Sequence, residues 1–144
     1  MGKYRKYPLK ILKVSESIHG ISITSPDKVY EYMKAEAMAD REIFWVLHLN
    51  TKNKIVHKEM AAMGAVDHCA IVPGIVLRSA VACGAPNIMT VHNHPSGDTT
   101  PSQEDRTLWE VLRAGCKLLG IRVLDNIIIG ISNYYSETEN RERR

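Results

Sequence analysis

Cysteine is scarce in this 144-residue chain, which has only Cys69, Cys83 and Cys116. The number is odd, the spacing is wide and there is no Cys-x-x-Cys pair. This pattern favours neither a disulfide framework nor a zinc site built from thiolates. We therefore interpret the three cysteines as small buried hydrophobic residues.

Long apolar runs are absent as well. No stretch approaches the ~18 to 20 consecutive apolar residues of a membrane span. The start Met1-Gly2-Lys3-Tyr4-Arg5 also lacks the apolar region of a signal peptide. From these two features we expect a cytoplasmic protein without a membrane partner.

Acidic residues are missing from residues 1–13, although the formal net charge of the chain is only +3. Those positions carry five basic residues, Lys3, Arg5, Lys6, Lys10 and Lys13, so +3 less +5 leaves −2 for the rest of the chain. Such a run is typical of a frayed, solvated terminus. With Tyr4 and Tyr7 interleaved, this N-terminal basic tail could alternatively contact DNA.

The length and the 44% hydrophobic content fit a single domain that buries a substantial core. We place this domain at residues 14–136, after the basic tail. Residues 137–144 have charged character without hydrophobic anchors, so we predict a disordered C-terminal tail.

Hydrophobic periodicity predicts alternating strands and helices. The predicted elements are an edge strand at Leu9–Val14, a helix from Ser25 to Asp40 burying Val29, Met33 and Ala37, a strand at Ile43–Leu49, a hairpin strand around Glu59, a helix from Pro73 to Cys83, a strand from Asn87 to His92, a helix from Ser102 to Leu119 and a strand at Ile121–Ile131. In the hairpin strand, Ile55, His57, Glu59 and Ala61 should share one face. The order of elements predicts a mixed sheet with helices on both faces.

The stretch from Val91 to Asp105 carries the clearest chemical pattern. The apolar, β-branched run before His92 indicates a buried strand, in which residues two apart point to the same side. His92 and His94 should therefore project together, and Asp105 in the first turn of the next helix is the candidate third ligand. Two imidazoles and one carboxylate leave the fourth position of Zn²⁺ open to water, as in catalytic zinc sites.

The same residues also have a plainer interpretation. Ser102-Gln103-Glu104-Asp105 fits a helix capping box, in which Ser102 and Asp105 exchange hydrogen bonds. A His-x-His sequence beside a turn is commonly no more than polar surface. We interpret His48 as a hydrogen-bonded core or edge residue rather than a ligand. His57 could approach the site, but we interpret it as a surface residue, or as one that supports the ligands, rather than as a ligand itself.

Taken as a whole, the pattern resembles the JAMM (MPN-domain) metalloprotease motif: His92-x-His94-Pro95, six residues, Ser102, two residues and Asp105. From about Ser25 to Glu137 the chain is similar to the RadC branch of that superfamily, notably at Leu49-Asn50-Thr51-Lys52-Asn53, His92-Asn93-His94-Pro95-Ser96-Gly97-Asp98 and Leu118-Leu119-Gly120-Ile121-Arg122-Val123-Leu124-Asp125. The resemblance implies a cytidine-deaminase-like α/β/α fold with zinc bound by His92, His94 and Asp105.

The resemblance also implies roles in catalysis. Glu59 matches by position the family's upstream glutamate, the general base, and Ser102 matches the serine that donates to the developing oxyanion. A zinc-dependent hydrolase acting on a peptide or isopeptide bond of a peptide or protein substrate is the leading hypothesis. Two alternatives stay open: a DNA-repair-associated, nucleic-acid-processing protein, as the RadC label suggests, and a metal-stabilised interaction module without turnover.

Overall fold

The computed structural model describes residues 21–64 and 71–142. The strands are β1 (Ile43–Leu49), β2 (Ile55–Met63), β3 (Asn87–Asn93), β4 (Arg122–Ile129) and β5 (Tyr134–Ser136), and the helices are α1 (Pro26–Met33), α2 (Pro73–Cys83), α3 (Gln103–Leu119) and α4 (Glu137–Glu142). The strands form one sheet in the order β2-β1-β3-β4-β5. The β3–β4 pair is parallel and the other pairs are antiparallel, which confirms the predicted mixed sheet.

Two apolar clusters cover the two faces of the sheet. On one face, Val29 and Met33 of α1 and Ala37 of the following 3₁₀ turn (Lys34–Met38) are buried, as their helical spacing predicts. They pack against apolar side chains of β1, β3 and β4. On the other face, α2 and α3 contribute side chains such as Val76 and Leu112 to the second cluster. The expected helical cover on both faces is confirmed.

The ends of α2 and α3 follow from glycine chemistry. Gly84 and Gly120 adopt left-handed φ values of 65° and 73° directly after the two helices, and their amides donate back to helix carbonyls. Glycine reaches this conformation without the penalty of a Cβ atom. Each glycine therefore ends its helix where the sequence predicts and turns the chain into β3 or β4. No helix in the described ranges is long and apolar enough to cross a bilayer.

A β-bulge changes the predicted faces of the hairpin. His48 pairs with His57, whereas the next residue, Leu49, pairs with Ile55, so Val56 is an extra residue in β2. Ile55 consequently joins the cluster under α1, while Ala61 packs against the cluster under α2 and α3. The prediction that Ile55 shares a face with His57, Glu59 and Ala61 is wrong because the bulge interrupts the alternation.

The C-terminal segment also differs from expectation. Residues 137–142, predicted to be disordered, form α4, and the short strand β5 precedes it. Glu137 is only 5% exposed and accepts hydrogen bonds from Arg113 at 3.0 Å and from Asn126 at 2.6 Å. Hydrophobic anchors are missing, as the sequence indicates, but a buried polar network holds this segment instead. The predicted strand Leu9–Val14 and the N-terminal basic tail lie outside the described residues.

Candidate metal centre

The two histidines of the motif converge at the end of β3. His92 is 1% exposed on a strand flanked by β1 and β4, and its ring stacks on Phe44 with centroids 5.6 Å apart. His94 follows directly after the strand and is partly buried. The two Nε2 atoms lie 3.2 Å apart, so both imidazoles face one point, as the alternation of side chains in a strand predicts.

Asp105 closes the group from the first turn of α3. Its Oδ1 lies 3.1 Å from Nε2 of His92, and its Oδ2 lies 3.1 Å from Nε2 of His94. The capping box is present at the same time: Ser102 Oγ accepts from the Asp105 amide at 3.0 Å, and the Ser102 amide donates to Oδ2 at 2.9 Å. The capping and ligand interpretations of Asp105 are therefore compatible, because the cap holds the carboxylate against the histidines.

A backbone carbonyl orients the ring of His94. Its Nδ1 lies 2.7 Å from the carbonyl oxygen of Asp98, which can only accept a hydrogen bond. Nδ1 must therefore carry the proton, and in the neutral ring Nε2 has the free lone pair. This contact is the usual way in which proteins fix the ligating tautomer of a histidine.

Charge is concentrated in this group. Burial would raise the pKa of Asp105, but hydrogen bonds from His92 and His94 and from the Ser102 backbone outweigh it and hold that pKa far below its ordinary range. The hydrogen bond to Asp105 raises the pKa of His94, against the opposing effect of burial. An ionised carboxylate thus faces the Nε2 atoms of two imidazoles, an arrangement that a divalent cation would stabilise.

The donor set fits zinc. Four ligands at Zn–N and Zn–O distances of about 2.0 to 2.1 Å form a tetrahedron whose edges are about 3.3 Å. The 3.2 Å between the Nε2 atoms of His92 and His94 is close to one such edge. Each Nε2 atom lies 3.1 Å from a different oxygen of Asp105, so all three residues are close enough to reach one ion. Two imidazoles with one carboxylate leave the fourth corner open, as in catalytic rather than structural sites.

Glu42 is the fourth acidic or ligating residue at this point, and the sequence analysis missed it. Its Oε1 lies 3.8 Å from Nε2 of His92, and a ligand atom of each of Glu42, His92, His94 and Asp105 lies within 4.8 Å of the others. Its side chain is 13% exposed. The available signal is an acidic residue directly before the apolar run of β1, but its meaning depends on β1 pairing with β3.

Asn93 fixes the backbone on both sides of Glu42. The Asn93 side chain points away from the two histidines, accepts a hydrogen bond from the Ile43 amide at 2.9 Å and donates to the Arg41 carbonyl at 3.0 Å. The Glu42 carbonyl in turn accepts from the Gly64 amide at 2.9 Å. Asn93 of β3 therefore fixes the backbone that carries Glu42 beside the group.

Glu59, which the resemblance assigns as general base, is not brought to this group. It lies on β2 opposite Val46, and β1 separates it from β3. Glu59 pairs with Val46, whereas His92 pairs with Phe44, so the two residues are two strands apart and offset by two residues along the strands. From the usual strand spacing and rise, their α-carbons are roughly 12 Å apart. The Oε1 atom of Glu59 lies 3.9 Å from Arg78 instead. The expectation that Glu59 lies at this group is therefore wrong. Glu42 is the glutamate beside the two histidines, because β1 rather than β2 adjoins the His-x-His strand.

Comparison with known proteins identifies the family of this domain. The family model described as a RadC-like JAB domain matches residues 23–142. The chain is 37% identical over 136 residues to a UPF0758 protein of Histophilus somni and 39% identical over 117 residues to one of Carboxydothermus hydrogenoformans. A UPF0758 protein of Thermotoga maritima is 37% identical over 120 residues.

These relatives are longer than the chain. The matches cover 94%, 81% and 83% of this chain but only 59%, 52% and 54% of the respective relatives. The chain thus spans little more than half the length of these relatives, and their names state no activity. What the comparison contributes is the family of the domain that contains His92, His94 and Asp105.

Proposed function

Because the chain belongs to the RadC-like JAB domain family, we propose that it is a zinc-dependent hydrolase that cleaves a peptide or isopeptide bond in a peptide or protein substrate. The observation that carries this proposal is the carboxylate of Glu42 beside the group formed by His92, His94 and Asp105. Three protein ligands, an open corner and an adjacent carboxylate are the components of a hydrolytic zinc site.

His92, His94 and Asp105 would hold the ion, through the two Nε2 atoms and one carboxylate oxygen. When bound there, Zn²⁺ supplies Lewis-acid polarisation of the scissile carbonyl and lowers the pKa of water at the open corner toward ~7. The protein contributes rigidity to these ligands. Asp98 orients the His94 ring, and the cap on α3 orients Asp105.

We assign the general base to Glu42. Its carboxylate is mostly shielded from solvent and is held by the backbone contacts of Asn93 on either side. From this position it can take a proton from the attacking water and later deliver that proton to the leaving amine. Proton transfer of this kind contributes typically ~10² to 10⁴-fold in rate.

Ser102 is proposed as the donor to the oxygen that becomes negative as water adds to the carbonyl carbon. Its hydroxyl oxygen accepts from the Asp105 amide, which leaves the hydroxyl hydrogen available to a substrate. The Ser102 side chain is exposed at the start of α3, next to Asp105. Helix capping and oxyanion stabilisation therefore use different parts of the same hydroxyl group.

The test compares two glutamates on the zinc-loaded full chain. A panel of fluorogenic peptides and isopeptides first identifies a cleaved substrate. Glu42→Gln keeps the side-chain volume but removes the basic oxygen, so kcat at neutral pH should fall at least ~100-fold while the protein stays folded and keeps its zinc. Glu59→Gln is the matched control and should stay within ~3-fold of the wild type, because it lies outside the group.

The reverse ranking of the two variants would return the base to Glu59 and contradict this assignment. Loss of zinc in Glu42→Gln would make Glu42 a ligand rather than the base. If the wild type cleaves no member of the panel and Glu42→Gln leaves partner binding intact, the interaction module without turnover becomes the better description.

A further inference from the structure

A second group of ligating side chains lies on the same face of the sheet, at the other end of β1. His48 belongs to β1, His57 is its direct partner on β2, and Cys83 is the last residue of α2. One ligand atom of each of the three lies within 4.8 Å of the others. Four residues of β1 separate the level of His48 from that of Phe44 and His92, which is about 13 Å along the strand.

His48 is the unusual member. It is fully buried at 0% exposure, yet neither of its ring nitrogens has a hydrogen-bond partner among the described residues. Buried imidazoles normally have at least one nitrogen paired, because an unsatisfied polar atom away from water is costly. The ring of His57 meets it edge-on with centroids 6.0 Å apart, and one nitrogen of each ring lies within 4.8 Å of the other.

From this arrangement we propose that His48, His57 and Cys83 bind a second zinc ion, with water at the fourth position. Two imidazoles and a thiolate are borderline-soft donors that suit Zn²⁺ better than Mg²⁺ or Ca²⁺, which prefer oxygen ligands. The ion would give the unpaired His48 ring a partner. It would also connect the end of α2 to the paired strands β1 and β2.

Binding requires small changes that the neighbourhood permits. Zinc would draw the ligand atoms from their present separations to about 3.3 to 3.6 Å. Cys83 is half-buried at a helix end, where its thiol makes a long hydrogen bond of 3.7 Å to the Ala80 carbonyl. Rotation of this side chain gives up that contact and brings the sulfur toward the rings.

Glu59 provides the remaining charge. Burial raises the pKa of the Cys83 thiol, and the nearby Glu59 carboxylate adds to this effect. The thiolate and Glu59 together would balance the two charges of Zn²⁺. Arg78, which lies 3.9 Å from Glu59, is 60% exposed and can turn into solvent when the cation is present.

Cobalt distinguishes this site from the first, because only this site contains sulfur. Zinc-free full-length chain is titrated with Co²⁺, and the expected result is a thiolate-to-cobalt charge-transfer band in the near ultraviolet. Cys83→Ser should abolish the band, and His57→Gln should weaken it. Zinc analysis should fall from two ions per chain in the wild type to one in Cys83→Ser.

Two control variants and one further measurement distinguish the second site from the first. Cys69→Ser should keep the band, and so should a double His92→Ala, His94→Ala variant, since neither removes one of the three ligands. Zinc should also slow the alkylation of Cys83 by iodoacetamide. Absence of the band in the wild type, or its persistence in Cys83→Ser, would overturn the proposal whatever the outcome at the first site.

Discussion

The Asn93 side chain bonds the backbone on both sides of Glu42, at Ile43 and Arg41, and we call this pair of hydrogen bonds the Asn93 clamp. It leads to a quantitative prediction for Asn93→Ala. The substitution removes two hydrogen bonds and leaves the Ile43 amide, on a residue that is 8% exposed, without its acceptor. Lost hydrogen bonds and one orphaned buried donor together cost about 2 to 4 kcal/mol. For a chain of this size, that corresponds to a fall in Tm of about 5 to 15 °C.

The assay is chemical denaturation followed by tryptophan fluorescence. Trp109 is 1% exposed, and its ring centroid lies 6.4 Å from that of His92, so its emission reports on packing near the site. Asn87→Ala is the matched control on the same strand. The Asn87 amide makes longer hydrogen bonds of 3.2 and 3.3 Å at the partly exposed end of β3, so its removal should cost about 1 kcal/mol or less.

The same variant should lower kcat when zinc is in excess. Without the clamp the segment around Glu42 can shift, and a misplacement of about 1 Å costs on the order of 10²-fold in rate. Equal destabilisation by Asn93→Ala and Asn87→Ala would refute the claim that the clamp is the stronger anchor. Normal turnover by a destabilised Asn93→Ala variant would show that the clamp does not position the base.

Two further predictions concern zinc and the C-terminal segment. The double variant His92→Ala, His94→Ala should bind one zinc fewer per chain. Zinc affinity at this site should fall in acid, because the hydrogen bond to Asp105 raises the pKa of His94 and protons then compete with the ion for Nε2. Equal zinc affinity at pH 8 and pH 5 would contradict this. Glu137→Ala should cost about 3 to 5 kcal/mol in a denaturation experiment, because it leaves the guanidinium of Arg113 without its buried partner. Glu139→Ala should change stability by only about 0.5 kcal/mol, and equal effects of the two substitutions would argue against a buried network.

Much of the candidate metal centre could be predicted from sequence because its parts are local. His92 and His94 converge through the alternation of one strand, and Asp105 reaches them from the first turn of the next helix. The glycine stops of α2 and α3 are likewise local signals. Each of these inferences requires only short-range geometry, which side-chain periodicity and capping preferences describe well.

The missed features depend on which strands become neighbours. Glu42 reaches the site only because β1 pairs with β3, whereas Glu59 on β2 lies one strand further away. The bulge at Val56 also moves His57 relative to Ile55, and nothing in the alternation of side chains predicts it. The second histidine pair and Cys83 come from three separate elements, so no sequence spacing connects them.

The C-terminal segment illustrates another limit. Its composition lacks apolar anchors, so hydrophobic periodicity gives no reason to place it against the sheet. The buried Glu137 is held by Arg113 from α3 and Asn126 from β4, and the value of that contact depends on partners remote in sequence. Composition alone cannot distinguish a solvated charge from one that is paired in the interior.

The shared use of Asp105 has a consequence for metal exchange. Asp105 Oδ2 already accepts a hydrogen bond from the Ser102 amide, and the His94 ring is already oriented by the Asp98 carbonyl. Little conformational entropy is therefore left for a cation to remove when it arrives, in contrast to zinc fingers, whose chains fold only with the metal. A chelator should strip this centre without unfolding the chain, so that Co²⁺ or Mn²⁺ can replace Zn²⁺ in one and the same folded protein.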